Sequence, residues 1–389
     1  MRKAFFLIVV IPTFLTGILG ACKADDVVSS PSTDTTGIDT ASSSVQDSLF
    51  YVYKSASEGY SCFRIPAIIR SQKGTLLAFA EARKNNCGDA GDIDLVLKRS
   101  LDGGKTWSRM ITVWDDADNT CGNPVPVVDQ STGTIWLLMT WNLGQDAIDK
   151  INNGTSKDTR RVFVTHSEDD GLTWAAPKEI TDNVKRISWG WYATGPCHGI
   201  QIQNGKYAGR IVVPCDYITV KTKEGSSHVI YSDDHGQSWM LGGIIQQFNV
   251  NESSVAELSD GSLMLSMRSS TGSRMVALST DGGLSWSDAQ PDPSLPDPGC
   301  QGSLLSYPKK GLLFFSNPSS KTSRVNMTLR LSENDGTTWG KAFRVHSGPS
   351  AYSDIVMIDD AHVGILYEAG LLSPYEGLAF KVIAIKDFK

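Results

Sequence analysis

Residues able to do chemistry are spread widely along this chain. Arginines stand in Cys62-Phe63-Arg64-Ile65-Pro66, in Leu265-Ser266-Met267-Arg268 and in Arg324-Val325-Asn326-Met327-Thr328-Leu329-Arg330. The planar guanidinium fork binds a carboxylate bidentately, so arginine is the better cation for fixing an acidic ligand. Tyr352 sits in Ala351-Tyr352-Ser353-Asp354, and Glu252 in Asn251-Glu252-Ser253-Ser254. A phenol with a pKa of about 10 is a poor nucleophile until a hydrogen-bonded carboxylate activates it. A glycine- and asparagine-rich stretch from Glu81 to Asp94 carries Asp89, Asp92 and Asp94, each of a type that serves as a general acid. Taken alone, each is ordinary: a lone arginine is usually a solvated charge, and a lone tyrosine a core aromatic. The histidines are scattered without metal-ligand spacing, and no cysteine pair has a CxxC spacing.

The elements that must bring these residues together follow from an internal repeat. Five segments share Ser-x-Asp-x-Gly-x-Thr/Ser-Trp: Ser100 to Trp107, Ser167 to Trp174, Ser232 to Trp239, Ser279 to Trp286 and Ser332 to Trp339, the last with Asn334 in the Asp place. The pattern predicts a hairpin turn. Its Asp accepts hydrogen bonds from turn N–H groups, its Gly supplies a positive φ, and its Trp starts the next strand and packs over the turn. Asp102, Asp169, Asp234 and Asp281 are therefore structural, not catalytic. Short strand-like runs lie between the repeats, among them Thr75 to Ala80, Asp94 to Lys98, Thr134 to Met139, Arg161 to Thr165 and Leu312 to Ser316. No stretch shows a long helical period. Repeat starts are 67, 65, 47 and 53 residues apart, room for a four-stranded blade with a functional loop. The expected fold is all-β, a six-bladed β-propeller of four-stranded antiparallel blades, with strands near Leu49 to Lys54 and Leu378 to Ile385 closing the ring.

Phe63-Arg64-Ile65-Pro66 followed by several Asp boxes resembles the signature pair of the bacterial sialidases (neuraminidases), across essentially everything after residue 48. That resemblance implies an exo-acting enzyme that releases terminal α-linked sialic acid from glycans with retention. It places Arg64, Arg268 and Arg324 on the sugar's carboxylate, with Arg330 the competitor for the third position. Tyr352 is implied as nucleophile and Glu252 as its base. Ordinary retaining glycosidases use a carboxylate, and sialidases are an exception that uses tyrosine, because a neutral phenol avoids repulsion from the carboxylate on the anomeric carbon. Asp89 is implied as acid and then base, with Asp92 and Asp94 as competitors. Arg83 resembles an arginine near the 4-hydroxyl. Asn123 occupies a place where several relatives have Asp before Pro. Glu368, in Leu366-Tyr367-Glu368, resembles a carboxylate that orients the first arginine. Trp141 or Trp191 is expected to wall an N-acetyl pocket, and Cys197 stands where relatives often have Gly. A trans-sialidase, an intramolecular sialidase and a non-catalytic sialic-acid-binding lectin are the alternative readings.

The N-terminal end has its own pattern. Arg2 and Lys3 precede an apolar run from Ala4 to Leu19, too short to span a bilayer comfortably and typical of a secretory signal. Leu19-Gly20-Ala21-Cys22 resembles a lipobox in which Cys22 is lipidated. The expected organisation is a lipoprotein signal peptide over 1–21, the lipidated cysteine and a flexible Ser/Thr/Asp-rich tether over 22–47, and a catalytic domain over 48–389. The expected location is periplasmic or cell-surface, at the outer membrane, with the lipid as the sole membrane contact. A net charge of -6 excludes a basic surface for nucleic acid or anionic lipid. No metal or organic cofactor is expected, and the partners are sialylated glycans.

Overall fold

The strand-like runs fold into strands that hydrogen-bond almost wholly to their sequence neighbours, as antiparallel hairpins do. The computed structural model describes residues 49–389; the expected signal segment, Cys22 and the tether lie outside the described residues. After β1 (Tyr51–Lys54) come β2 (Cys62–Arg70), β3 (Leu76–Arg83), β4 (Ile93–Ser100) and β5 (Ile111–Trp114). Next are β6 (Thr120–Val128), β7 (Ile135–Asn142), β8 (Arg161–Ser167) and β9 (Lys178–Glu179). The third group holds β10 (Trp189–Thr194), the short β11 (Ile200–Gln201), β12 (Ile211–Thr219), β13 (Gly225–Ser232) and β14 (Met240–Ile244). The fourth is β15 (Val250–Glu257), β16 (Leu263–Ser269), β17 (Ser273–Ser279) and β18 (Gln290–Pro296). The last are β19 (Ser303–Tyr307), β20 (Leu312–Pro318), β21 (Val325–Ser332), β22 (Lys341–Asp359), β23 (His362–Ala369) and β24 (Gly377–Ala384).

These strands form four sheets among the described residues, all-β in class. Two seams join what are otherwise separate meanders. One parallel pair, Ile93 with Thr120, links the first two groups. The long β22 pairs with β21 up to Pro349 and with β23 from Ser350 onward. The expected terminal pairing forms, with Tyr51 opposite Ala379 in β1 and β24. Apolar residues fill the spaces between groups. Val52, Phe63 and Ala78 pack with Val356 and Phe380, and Val125 and Leu138 pack with Val213 and Ile230.

The five repeat turns behave as their residue types dictate. Asp102 Oδ1 accepts from the Lys105 and Thr106 N–H groups at 3.1 and 2.9 Å, and Ser100 Oγ accepts from Gly104 N–H at 2.8 Å. Gly104 has φ 90°, and a Cβ there would lie 2.1 Å from the Phe380 ring. One expectation needs correction. Trp107 does not start the next strand, which begins at Ile111; its ring meets Phe380 edge-on at 5.3 Å, as Trp174 meets Phe79 at 5.7 Å. Trp107 and Trp174 thus cement one group to the next, while Trp239 also covers its own turn, donating to the Gly236 carbonyl at 3.0 Å.

Strands β2, β6, β10, β15 and β22 each carry a β-bulge where the pairing register shifts. The shifts fall between Arg64 and Ala67 in β2, Gly122 and Val125 in β6, Trp189 and Tyr192 in β10, Val250 and Ser253 in β15, and Ser350 and Ser353 in β22. A bulge bends its strand and re-aims one side chain. Pro66 and Pro124 sit in two of them, where a missing N–H costs no ladder bond. Ile65 and Asn123, just before these prolines, have φ of 58° and 53°. Ile65 is β-branched, so its backbone is strained at the spot that turns Arg64.

Candidate active site

The bulges aim their side chains into one cavity of about 520 Å³, whose lining includes Arg83, Asp89, Asn123, Glu252, Arg268 and Tyr352. Tyr352 on β22 is 6% exposed, and its hydroxyl donates to Glu252 Oε1 at 2.6 Å. Arg268 on β16 bridges the pair, donating from one nitrogen to Glu252 Oε2 at 2.7 Å and to the Tyr352 hydroxyl at 3.1 Å. Burial and the neighbouring Glu252 charge push the Tyr352 phenol well above its usual range, while Arg268 and Arg64 pull the other way. The phenol therefore rests protonated, and it can attack a carbon centre only as its proton passes to Glu252.

Two further arginines flank the same ring. The Arg64 guanidinium carbon lies 5.2 Å from the centre of the Tyr352 ring, and that of Arg324 lies 5.5 Å from it. Glu368, fully buried, accepts from Arg64 Nε at 3.0 Å and from the backbone N–H groups of Ile65 and Tyr352 at 3.1 and 3.2 Å. One carboxylate thus fixes the first arginine and the strand of the phenol together. Arg330 goes elsewhere, donating to Asn317 Oδ1 at 3.3 Å and Ser319 Oγ at 2.6 Å.

Asp89 also lines the cavity, with a side chain 65% exposed, accepting from Arg83 at 2.8 Å and Arg64 at 3.1 Å. Partial burial raises its carboxyl, but the two arginines outweigh that and hold it below the usual range. Its competitors are placed differently. Asp94 is buried in β4 and accepts from the Tyr60 hydroxyl at 2.5 Å, and Asp92 precedes that strand. A disulfide joins Cys62 on β2 to Cys87, two residues before Asp89, and the Cys87 carbonyl accepts from Arg83 at 2.5 Å. Cys121, Cys197, Cys215 and Cys300 are free thiols, all buried. Cys197 has φ 152°, a conformation that favours glycine.

Several residues in or beside the cavity carried no sequence signal. Glu81 accepts from Arg83 Nε at 3.0 Å and from Asn123 N–H at 2.7 Å, and Gly122 leaves room for that carboxylate. Arg160 is buried, donates to the Asn123 side chain and stacks 4.0 Å from the Trp191 ring. Burial pushes it down to about 10. Trp191 lines the cavity; Trp141 instead donates to Asp116 at 2.7 Å. Tyr375 accepts from Arg324 at 3.0 Å and lies under Arg64, ring centre to guanidinium 4.4 Å. Asp216, on β12, lines the cavity beside Asn251. Of these unexpected residues, Glu81 was the most accessible to reasoning, since it shares a strand face with Arg83 two residues on.

Residues 74–365 match the BNR repeat-like domain family. A sialidase of Bacteroides fragilis is 32% identical over 360 residues, covering 86% of this chain and 64% of that protein. An exo-alpha-sialidase of Aspergillus fumigatus is 31% identical, covering 82% of this chain and 81% of that one. Among solved structures, the Hadza microbial sialidase Hz136 superposes with a TM-score of 0.79 at 30% identity, over 88% of this chain and 69% of that one. The chain thus spans under two thirds of the length of its Bacteroides fragilis relative.

Proposed function

This chain belongs to the sialidase family of BNR-repeat proteins, and we propose that it hydrolyses terminal α-linked sialic acid from glycans with retention at the anomeric carbon. The observation that carries the reading is the Tyr352–Glu252 hydrogen bond of 2.6 Å with Arg268 bridging both. A phenol with a carboxylate base, ringed by Arg64, Arg268 and Arg324, suits attack on a carbon that itself bears a carboxylate. In the first step Tyr352 Oη bonds to that carbon as its proton moves to Glu252. The glycosidic C–O bond breaks, and Asp89 gives its proton to the leaving oxygen. In the second step Asp89 takes a proton from water, the water oxygen bonds to the carbon, and Glu252 returns the proton to the departing phenol. Arg83 and Asn123 hold the face of the ring away from the carboxylate.

The same reading covers the fold's finer description. The six four-stranded meanders are blades of a closed propeller, supported by the contacts of β2 with β6 and β22, β12 with β15, and β15 with β19. It also covers export and lipid anchoring at Cys22, which rest on Leu19-Gly20-Ala21-Cys22. The test of function is incubation of the protein with linkage-defined sialosides and identification of the released sugar. Free sialic acid is expected from the wild type, and Tyr352→Phe should lose turnover on the order of a thousandfold while still binding sialic acid. Wild-type-like turnover in that variant overturns the assignment.

A further inference from the structure

The loop between β10 and β11, Gly195-Pro196-Cys197-His198-Gly199, has no part in the chemistry above, yet its bonds reach both halves of the Tyr352–Glu252 pair. Ser253, the residue after Glu252, donates its N–H to the Gly195 carbonyl at 3.3 Å, and its own carbonyl accepts from Cys197 Sγ at 3.7 Å. Ser353, the residue after Tyr352, is held in the same two-handed way by a different partner. Its N–H donates to Gln301 Oε1 at 3.0 Å, and its carbonyl accepts from Gln301 Nε2 at 3.0 Å. One side-chain amide thus makes with β22 the pair of bonds that a residue of a neighbouring antiparallel strand would make. Gln301 Nε2 also donates to the Pro196 carbonyl at 3.0 Å, which ties β22 to the loop that holds Ser253. Gln301 is 1% exposed, and its acceptor and both its donors are engaged. Two carbonyls can only accept and one N–H can only donate, so the amide has a single orientation that satisfies all three.

What this network fixes is a distance. Tyr352 lies on β22 and Glu252 on β15, and these strands belong to different sheets, so no backbone ladder sets the gap between them. Transfer of the phenol proton needs the two side chains at hydrogen-bond distance throughout the attack, and a misplacement of about 1 Å can cost on the order of a hundredfold in rate. We propose that Gln301 is a positioning residue for the reaction, holding the strand of the nucleophile to the loop that holds the strand of its base. This inference rests on the sialidase reading above. Gln301 is not part of the cavity lining. The turn before it is secured independently, with Cys300 N–H donating to Asp297 at 2.8 Å and the Cys300 carbonyl accepting from Arg274 at 2.8 Å. Loss of the Gln301 amide should therefore disturb proton transfer and leave binding of the sugar in place.

The test is a double-mutant cycle in steady-state kinetics with one aryl sialoside. Gln301→Ala should lower kcat by about 10- to 100-fold with KM within about threefold of wild type. In a Glu252→Gln background there is no carboxylate left to keep in place, and the same substitution should cost less than about threefold in kcat. A residue that only supports the fold would cost the same factor in both backgrounds. Equal losses in the two backgrounds, an unchanged kcat in Gln301→Ala, or a loss carried wholly by KM each overturn the inference. Should Gln301→Ala fail to fold, Gln301→Met, of similar length and without the amide, serves the same cycle. A wild type that releases no sialic acid instead overturns the sialidase reading itself.

Discussion

The hydroxyl of Tyr352 and Oε1 of Glu252 are 2.6 Å apart although a hundred residues separate them in the chain. Their pairing sets up a test that separates acidity from proton transfer. Replacing Glu252 with Gln removes a negative charge that helps push the phenol up, so Tyr352 becomes easier to ionise. If acidity alone limited the reaction, the variant would be faster. With Glu252 as the proton acceptor, kcat should fall on the order of 10²- to 10⁴-fold with a much smaller change in KM. Steady-state kinetics of Glu252→Gln checks this, and an unchanged or raised kcat removes Glu252 from the role.

Asp89 gives a pH signature. Arg83 and Arg64 hold its carboxyl low when the site is empty, yet a general acid works only while protonated. Activity should therefore decline as pH rises through the Asp89 pKa. Removing the nearer cation, 2.8 Å away, raises that pKa and moves the declining limb upward. In Arg83→Met the alkaline limb of kcat/KM should shift to higher pH, whatever the substitution also costs in affinity. A limb that stays put or moves down would show that Asp89 does not set it.

How much of this was legible differs by residue type. The Asp and Gly of the turns were legible, because at fixed offsets they have few conformations that satisfy them, and Asp102 bonds as expected; the place of Trp107 was not. The arginines, Tyr352 and Glu252 were legible through motifs; Arg268, Glu252 and Tyr352 line one cavity, and Arg64 and Arg324 flank the Tyr352 ring. Arg160, Asp216 and Tyr375 were not. Each gains its place from a partner far along the chain, as when Arg160 meets Asn123 and Trp191, and no local pattern encodes such a meeting. The bulges were half-legible: Pro66 and Pro124 announce an interrupted ladder but not which neighbour it re-aims. The disulfide was illegible, since the six cysteines after Cys22 allow many pairings and, among the described residues, only Cys62 and Cys87 meet.

That disulfide ties the strand of Arg64 to the loop of Asp89. Cross-linking residues 25 apart restricts the unfolded chain and is worth about 3 kcal/mol by loop entropy. Cys62→Ser/Cys87→Ser should therefore unfold more easily by about that amount in a denaturant titration. It should also lose kcat several-fold at temperatures where it is still folded, because the Cys87 carbonyl no longer fixes Arg83 beside Asp89. The same double effect is expected from reductant acting on the wild type. Lost stability with kcat intact would mean the bond serves the fold alone.

Gly104 supplies the opposite case, a position that should matter to the fold and not to the chemistry. Its φ of 90° is one that L-residues rarely adopt, and a Cβ would press to 2.1 Å from the Phe380 ring, which is itself wedged against Trp107. Neither the backbone nor the aromatic pair can yield without opening the contact between the group of β2 and the group of β24. Gly104→Ala should thus destabilise by roughly 2–4 kcal/mol, strain and overpacking adding. The turn lies outside the cavity lining, so kcat and KM of the folded fraction should stay within about twofold of wild type. Melting and kinetics measured on one preparation decide the matter. A Gly104→Ala protein that melts normally would mean the turn relaxes at little cost, and the repeat would lose its standing as the cement between groups.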